Sequence, residues 1–171
     1  VDTVYGPFAK ELIERIREIV PPEKIDYIVV NHVETDHSGA LPAIMKVCSK
    51  AKLYGTQKCK EGLYKHYYEN WDFQTVKTGD VLNLGKRTLT FIEAPMIHWP
   101  DSMFTYCEEE ALLLPTDAFG QHYATSERFD DQTDTCAPGQ APYVCTGARG
   151  EAASDVFELV VHTEARPIVT S

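Results

Sequence analysis

The chain has 171 residues, 43% of them hydrophobic and 25% charged, with a formal net charge of -10 at pH 7. That length suits one domain with a real core, and the composition lies in the globular range, away from disordered, collagen-like and coiled-coil chains. The acidic balance and the absence of a Lys/Arg cluster argue against nucleic acid as a partner, because phosphates are bound by basic side chains. Carboxylates suit hard cations better, although an acidic surface also serves solubility alone.

No apolar stretch is long enough to span a bilayer, and the start, Val1-Asp2-Thr3-Val4-Tyr5, lacks the layout of a signal peptide, so a soluble cytoplasmic protein without a membrane partner is expected. The start also lacks Met and reads like the middle of a strand, which predicts chain upstream of it. Pro7 followed by Phe8, Leu12, Ile13, Ile16, Ile19 and Val20 gives an amphipathic helix, ended by Pro21-Pro22. Residues 25–30 form a short apolar, β-branched run expected to be a strand buried on both faces. Polar and ionisable residues crowd in from Asn31 to Ser38, on what reads as a loop at the strand's C-terminal end, where α/β architectures place sites.

A second helix is predicted from about Gly39 to Val47, a short strand near Leu53-Tyr54, and a third helix from Gln57 to about Tyr67. From Phe73 the pattern turns to β, with strands at residues 74–76, 81–84, 88–93, 103–107 and 111–114, separated by turns at Thr78-Gly79-Asp80 and Gly85-Lys86. Strand/helix units followed by a meander imply an α/β (α+β) chain with an αββα sandwich layering. After about Thr133 turn formers dominate, and the next clean element is an apolar run at residues 156–161. The five cysteines form no CxxC pair and read as free thiols in a reducing compartment.

The chemistry gathers in the run His32-Val33-Glu34-Thr35-Asp36-His37, where four of six residues can ligate a metal. Alternate positions at a strand end can face one ion while the following pair turns toward a second. A lone loop histidine is ordinarily a hydrogen-bonded surface residue, so the density beside an apolar strand is the signal. His98 and Asp117 each lie just past a predicted strand and can share the same rim. Read singly, they would be a solvated loop histidine and an Asx-turn or capping aspartate. His66 and His122 read as surface or structural residues.

The pattern H-x-E-x-D-H, a later histidine and then an aspartate resembles the metallo-β-lactamase superfamily, whose usual second ligand is histidine where this chain has Glu34. Together with Ala94-Pro95-Met96-Ile97-His98-Trp99-Pro100-Asp101-Ser102-Met103 and Leu114-Pro115-Thr116-Asp117-Ala118-Phe119-Gly120, it closely resembles flavodiiron proteins (rubredoxin:oxygen oxidoreductases) over residues 1 to about 132. The resemblance implies a partial metallo-β-lactamase-like diiron domain over residues 1–132, its N-terminal part missing, and a divergent tail over residues 133–171. It assigns His32, Glu34 and His98 to one non-haem iron, Asp36 to the other and Asp117 as a bridge to both; the counterpart of His37 is a ligand in some members only. Exchanging imidazole for the Glu34 carboxylate hardens the site and favours iron over zinc, which has no redox chemistry. Trp99 is expected to line the approach to the irons as a cofactor-binding residue, with plain packing as the alternative.

Further implications of the resemblance are reduction of dioxygen to water or of nitric oxide to nitrous oxide, by catalytic His32, Glu34, Asp36, His98 and Asp117. Electrons would come from FMN or a rubredoxin-like donor, the FMN sitting in a flavodoxin-like domain that this chain lacks, within a head-to-tail homodimer. The sequence departs from the family in one ligand, a further downstream histidine: His162 lies too early and in a different context, and the mismatch after Thr133 suggests a truncated, frameshifted or fused end. Two other readings stand beside the redox domain: a zinc-dependent lactamase-like hydrolase, and a fragment that binds metal weakly and turns nothing over in isolation.

Overall fold

The computed structural model describes residues 1–118, together with the backbone of a short strand at Arg166–Pro167. The proposed boundary at 132, His122, His162 and the apolar run at 156–161 lie outside the described residues. Helices α1 (Ala9–Ile19), α2 (Thr35–Ser38), α3 (Leu41–Val47) and α4 (Gln57–Tyr67) alternate with strands β1 (Tyr27–Val29), β2 (Lys52–Gly55) and β3 (Phe73–Thr75). Five more strands follow: β4 (Val81–Asn83), β5 (Thr88–Glu93), β6 (Met103–Cys107), β7 (Leu112–Leu114) and β8 (Arg166–Pro167).

Two sheets result: β1, β2 and β3 run parallel in that order, and β4 to β8 form the second, antiparallel except where β8 joins β7. Period-2 alternation decides what each sheet buries. Val29 of β1 faces Leu82, Phe91 and Met103 of the second sheet, while its neighbours Ile28 and Val30 face the helices and pack with Leu41, Ile44, Leu53 and Leu63. The strand after α1 is therefore covered on both faces, as its unbroken apolar run predicts, although Tyr27 at its start is 40% exposed. In the second sheet Phe91 and Met103 point inward, whereas Ile92, Phe104 and Leu113 form a separate outer cluster with Ala94 and Ile97. Among the described residues this gives three layers, helices, sheet and sheet, in keeping with the metallo-β-lactamase-like α/β layering. No helix of the described residues is long and apolar enough to cross a membrane.

Four features differ from the sequence expectation. Val1 to Tyr5 is not a strand: Asp2 turns left-handed (φ 54°), and Asp2 and Thr3 donate to different partners, Val29 O and His37 O, so no ladder forms. The stretch after Glu34 is a helical turn instead of a loop, with Ser38 N–H donating to Glu34 O and Gly39 N–H to Thr35 O. Gly39 allows this turn to dock, because a Cβ there would lie 2.3 Å from Thr35 O and 2.6 Å from Gly6 N. Third, β3 pairs with β2 in the parallel sheet and is no part of the meander; fourth, β8 falls where no element was expected.

Candidate metal centre

Strand ends bring the donors to one rim. β1 stops at Val29, and Asn31 immediately ties that end to the other sheet: its Nδ2 donates to Leu114 O at 2.9 Å, and its Oδ1 accepts from Thr105 Oγ1 at 2.7 Å. His32 and Glu34 follow directly, and α2 carries Asp36 and His37 around one turn. His98 comes from the loop between β5 and β6, and Asp117 lies three residues past β7. All six residues singled out in the sequence meet here, in two groups: His32, Glu34, His98 and Asp117 in one, Asp36, His37 and Asp117 in the other.

In the first group Glu34 Oε2 lies 3.2 Å from both His32 Nε2 and His98 Nε2, and Asp117 Oδ2 lies 3.6 and 3.9 Å from the same nitrogens. Donors arranged around one ion at bonds of about 2.1 Å stand roughly 3.0–3.4 Å apart for octahedral and tetrahedral geometry; the two Glu34 spacings fall in that range and the two Asp117 spacings lie a few tenths of an ångström wider. In the second group His37 Nε2 lies 3.0 Å from Asp117 Oδ1 and 3.6 Å from Asp36 Oδ2. Asp117 thus offers one oxygen to each group. Its Oδ2 is buried without a hydrogen-bond partner, an arrangement that costs free energy unless something positive satisfies it. Imidazole and carboxylate donors of this kind, with one orphaned oxygen between them, fit a pair of transition-metal ions.

The electrostatics agree. Burial lowers the pKa of His37, but hydrogen bonds to Asp117 and Asp2 outweigh it and bring the value up to about 10. Burial acts the same way on His32, where Asp101 and Glu34 reverse it and leave the pKa raised. The hydrogen bond from His37 holds the Asp117 carboxyl below its usual range against the opposing effect of burial. Imidazoles that gather protons among carboxylates mark a cluster that favours added positive charge. His32 is fully buried, whereas the side chains of Glu34, His98 and Asp117 are about one-third exposed, so solvent reaches the rim from their side. Trp99 packs edge-on to the His32 ring at 5.2 Å between centroids and lies 6.0 Å from His98, so it borders the site while remaining partly exposed.

Sequence reasoning missed three polar residues that hold these donors. Asp101 Oδ2 lies 3.1 Å from His32 Nδ1, Asp2 Oδ2 lies 3.4 Å from His37 Nδ1, and Asn31 clamps the two sheets. Asp101 stood within the quoted motif and Asn31 opened the polar run after the first strand, but nothing local marks either as buried; Asp2 carried no signal at all.

Residues 3–143 match the model of the ODP family beta lactamases. A nitric oxide reductase of Moorella thermoacetica is 61% identical over 135 residues, which are 78% of this chain and 34% of that protein. A rubredoxin-oxygen oxidoreductase of Megalodesulfovibrio gigas is 45% identical over 132 residues, 77% of this chain and 33% of its own length. The crystal structure of the flavodiiron protein from Giardia intestinalis superposes with a TM-score of 0.70 at 45% identity, covering 78% of this chain and 33% of that one. The chain spans about a third of the length of the curated relatives it matches. By family model, fold and relatives together, the chain belongs to the ODP family of beta lactamases, alongside flavodiiron proteins.

Proposed function

We propose that this chain forms the metal-binding part of a non-haem diiron oxidoreductase that reduces dioxygen to water, nitric oxide to nitrous oxide, or both. In this reading His32, Glu34 and His98 hold one iron, Asp36 and His37 the other, and Asp117 both. The observation that carries it is the shared carboxylate: Asp117 Oδ1 faces His37 while its buried, unpartnered Oδ2 faces His32 and His98. The names of the relatives, nitric oxide reductase and rubredoxin-oxygen oxidoreductase, support the choice of reaction. Glu34, an oxygen donor in place of imidazole, supports iron over zinc.

A bound iron pair would supply two adjacent redox centres able to act on one small molecule. The chain's own contribution is positional. Asp117 fixes the separation of the two donor groups, Glu34 and Asp36 supply anionic oxygens that balance oxidised metal, and Trp99 shields one side of His32 from water. The open side, bordered by Glu34, His98 and Asp117, is the route for a diatomic substrate. Electrons would arrive from FMN bound outside these residues, or from a rubredoxin-like donor, with a head-to-tail dimer bringing the flavin to the partner's rim in the cytoplasm. Residues 1–132 would constitute the metal domain and 133–171 a separate tail.

The test is metal content and turnover. Reconstitution with ferrous iron under argon should load about two irons per chain, and a longer chain that includes the flavin-binding part should consume nitric oxide or dioxygen. Stoichiometric zinc with hydrolytic turnover, and no consumption of either gas, would reject the assignment.

A further inference from the structure

We propose that Asp101 is the positioning residue of this centre: its carboxylate orients the His32 ring so that Nε2 faces the donor group, and it ties the loop bearing His98 to the strand end bearing His32. The inference rests on the reading of the rim as a metal centre. An imidazole binds a metal through one nitrogen, and the N–H of the other needs an acceptor that fixes tautomer and ring orientation. His32 is fully buried, so no solvent can serve that nitrogen, and Asp101, itself 4% exposed, is placed to do so. His32 Nδ1 donates to Asp101 Oδ2 at 3.1 Å, which leaves Nε2 directed at Glu34 Oε2 and Asp117 Oδ2.

The same Asp101 oxygen accepts the Val33 backbone N–H at 2.8 Å, so it grips the backbone next to the ring as well as the ring. Asp101 is held in turn from its own backbone: its carbonyl accepts from Thr56 Oγ1 at 3.1 Å, and that hydroxyl accepts from Cys59 N at 3.0 Å as the N-cap of α4. Asp101 stands three residues beyond His98, in the loop between two strands of the second sheet, whereas His32 follows a strand of the first. One short loop therefore supplies a donor of its own and orients a donor from the opposite sheet.

The Val33 N–H also makes the proposal separable by mutation. In Asp101→Asn only the amide oxygen can face that N–H, since the amide nitrogen would set donor against donor. Asp101→Asn therefore keeps both hydrogen bonds and removes only the charge, whereas Asp101→Ala removes both. With the zinc(II)-loaded chain as a diamagnetic probe, nitrogen-15 spectra of His32 in the parent should show Nδ1 protonated and Nε2 metal-bound. Chelator-driven zinc release should be about 10–100-fold faster in Asp101→Ala, with that signature lost, and less than tenfold faster in Asp101→Asn, with it kept. Release within twofold of the parent in Asp101→Ala, or equal rates in the two variants, overturns the proposal. If Asp101→Ala does not fold, Asp101→Asn decides alone: faster release with Nδ1 still protonated supports the role, and an unchanged rate or a lost signature rejects it. A parent chain that binds no zinc at these residues would refute the metal centre itself, a distinguishable outcome.

Discussion

Asn31→Ala should destabilise the metal-free chain far more than the loss of one small polar side chain suggests. Asn31 is fully buried, and its side chain bridges the sheets by donating to Leu114 O and accepting from Thr105 Oγ1. Truncation leaves both of these groups without this partner, Thr105 in a fully buried place and Leu114 in a partly buried one. Each orphaned group costs about 1–3 kcal/mol, so the sum is about 2–6 kcal/mol, a large share of the stability of a domain this size. The backbone bonds of Asn31, from its N–H to Asp2 Oδ1 and from Met103 N–H to its carbonyl, survive and keep the chain path. Urea denaturation of parent and variant measures the difference, and a Thr105→Val partner completes a double-mutant cycle with an expected coupling of at least about 0.5 kcal/mol. Because Leu114 precedes Asp117 by three residues and Asn31 directly precedes His32, zinc uptake should weaken in parallel. A loss below about 0.5 kcal/mol, or a cycle with no coupling, would refute the view that this amide sets the spacing of the rim.

Asp117→Ala should reduce the metal load from two ions per chain to one at most, because the shared carboxylate is gone and the two cations repel with less compensation; elemental analysis after desalting gives the count, and full retention contradicts the bridging role. Gly39→Ala should cost about 1–3 kcal/mol in denaturant unfolding, since its Cβ would meet the backbone at Thr35 and Gly6, and unchanged stability would deny the close approach. Thr116→Gly relieves a left-handed β-branched residue (φ 57°) at about 1–2 kcal/mol and adds chain entropy of about 0.5–1 kcal/mol, so stability should hold or rise by up to about 1.5 kcal/mol, whereas metal release should accelerate as Asp117 loses its fixed approach. A clear destabilisation measured for that variant would remove the strain argument.

How far the sequence could be read follows from the range of each signal. α4 and the strands β5 and β6 appear at their expected bounds because 3.6-residue and alternating patterns are local and strong there. The opening residues have strand-like composition but lack a ladder, since a left-handed Asp2 cannot be inferred from composition. Which sheet β3 joins depends on the crossover through α4, a non-local matter. The six donor-type residues of the rim were legible because they crowd at strand ends, and the structure brings them together. Asp2, Asn31 and Asp101 were not, because aspartate and asparagine beside a strand look the same whether they serve a solvated turn or a buried clamp; only burial separates the two.

The rim is also where local rules are set aside. Left-handed Asp2, Met96 and Thr116 touch His37 or stand within two residues of His98 and Asp117, while the other non-glycine left-handed residues among those described, Tyr68 and Ala111, merely close helical turns. The buried polar residues Asn31, His32, Ser38, Thr56, Asp101, Ser102 and Thr105 all belong to the same region, linked to its donors or to the loops that carry them. Strain and buried polarity each cost stability, and they persist only where surrounding packing over-determines the conformation. Here the two apolar clusters on either side of β1 supply that packing. Among the described residues the buried side-chain polar atoms have partners with one exception, Asp117 Oδ2, which belongs to the residue facing both donor groups. A rim so fully fixed by its neighbours leaves one unmet demand, at the shared carboxylate, and what its chemistry calls for is positive charge.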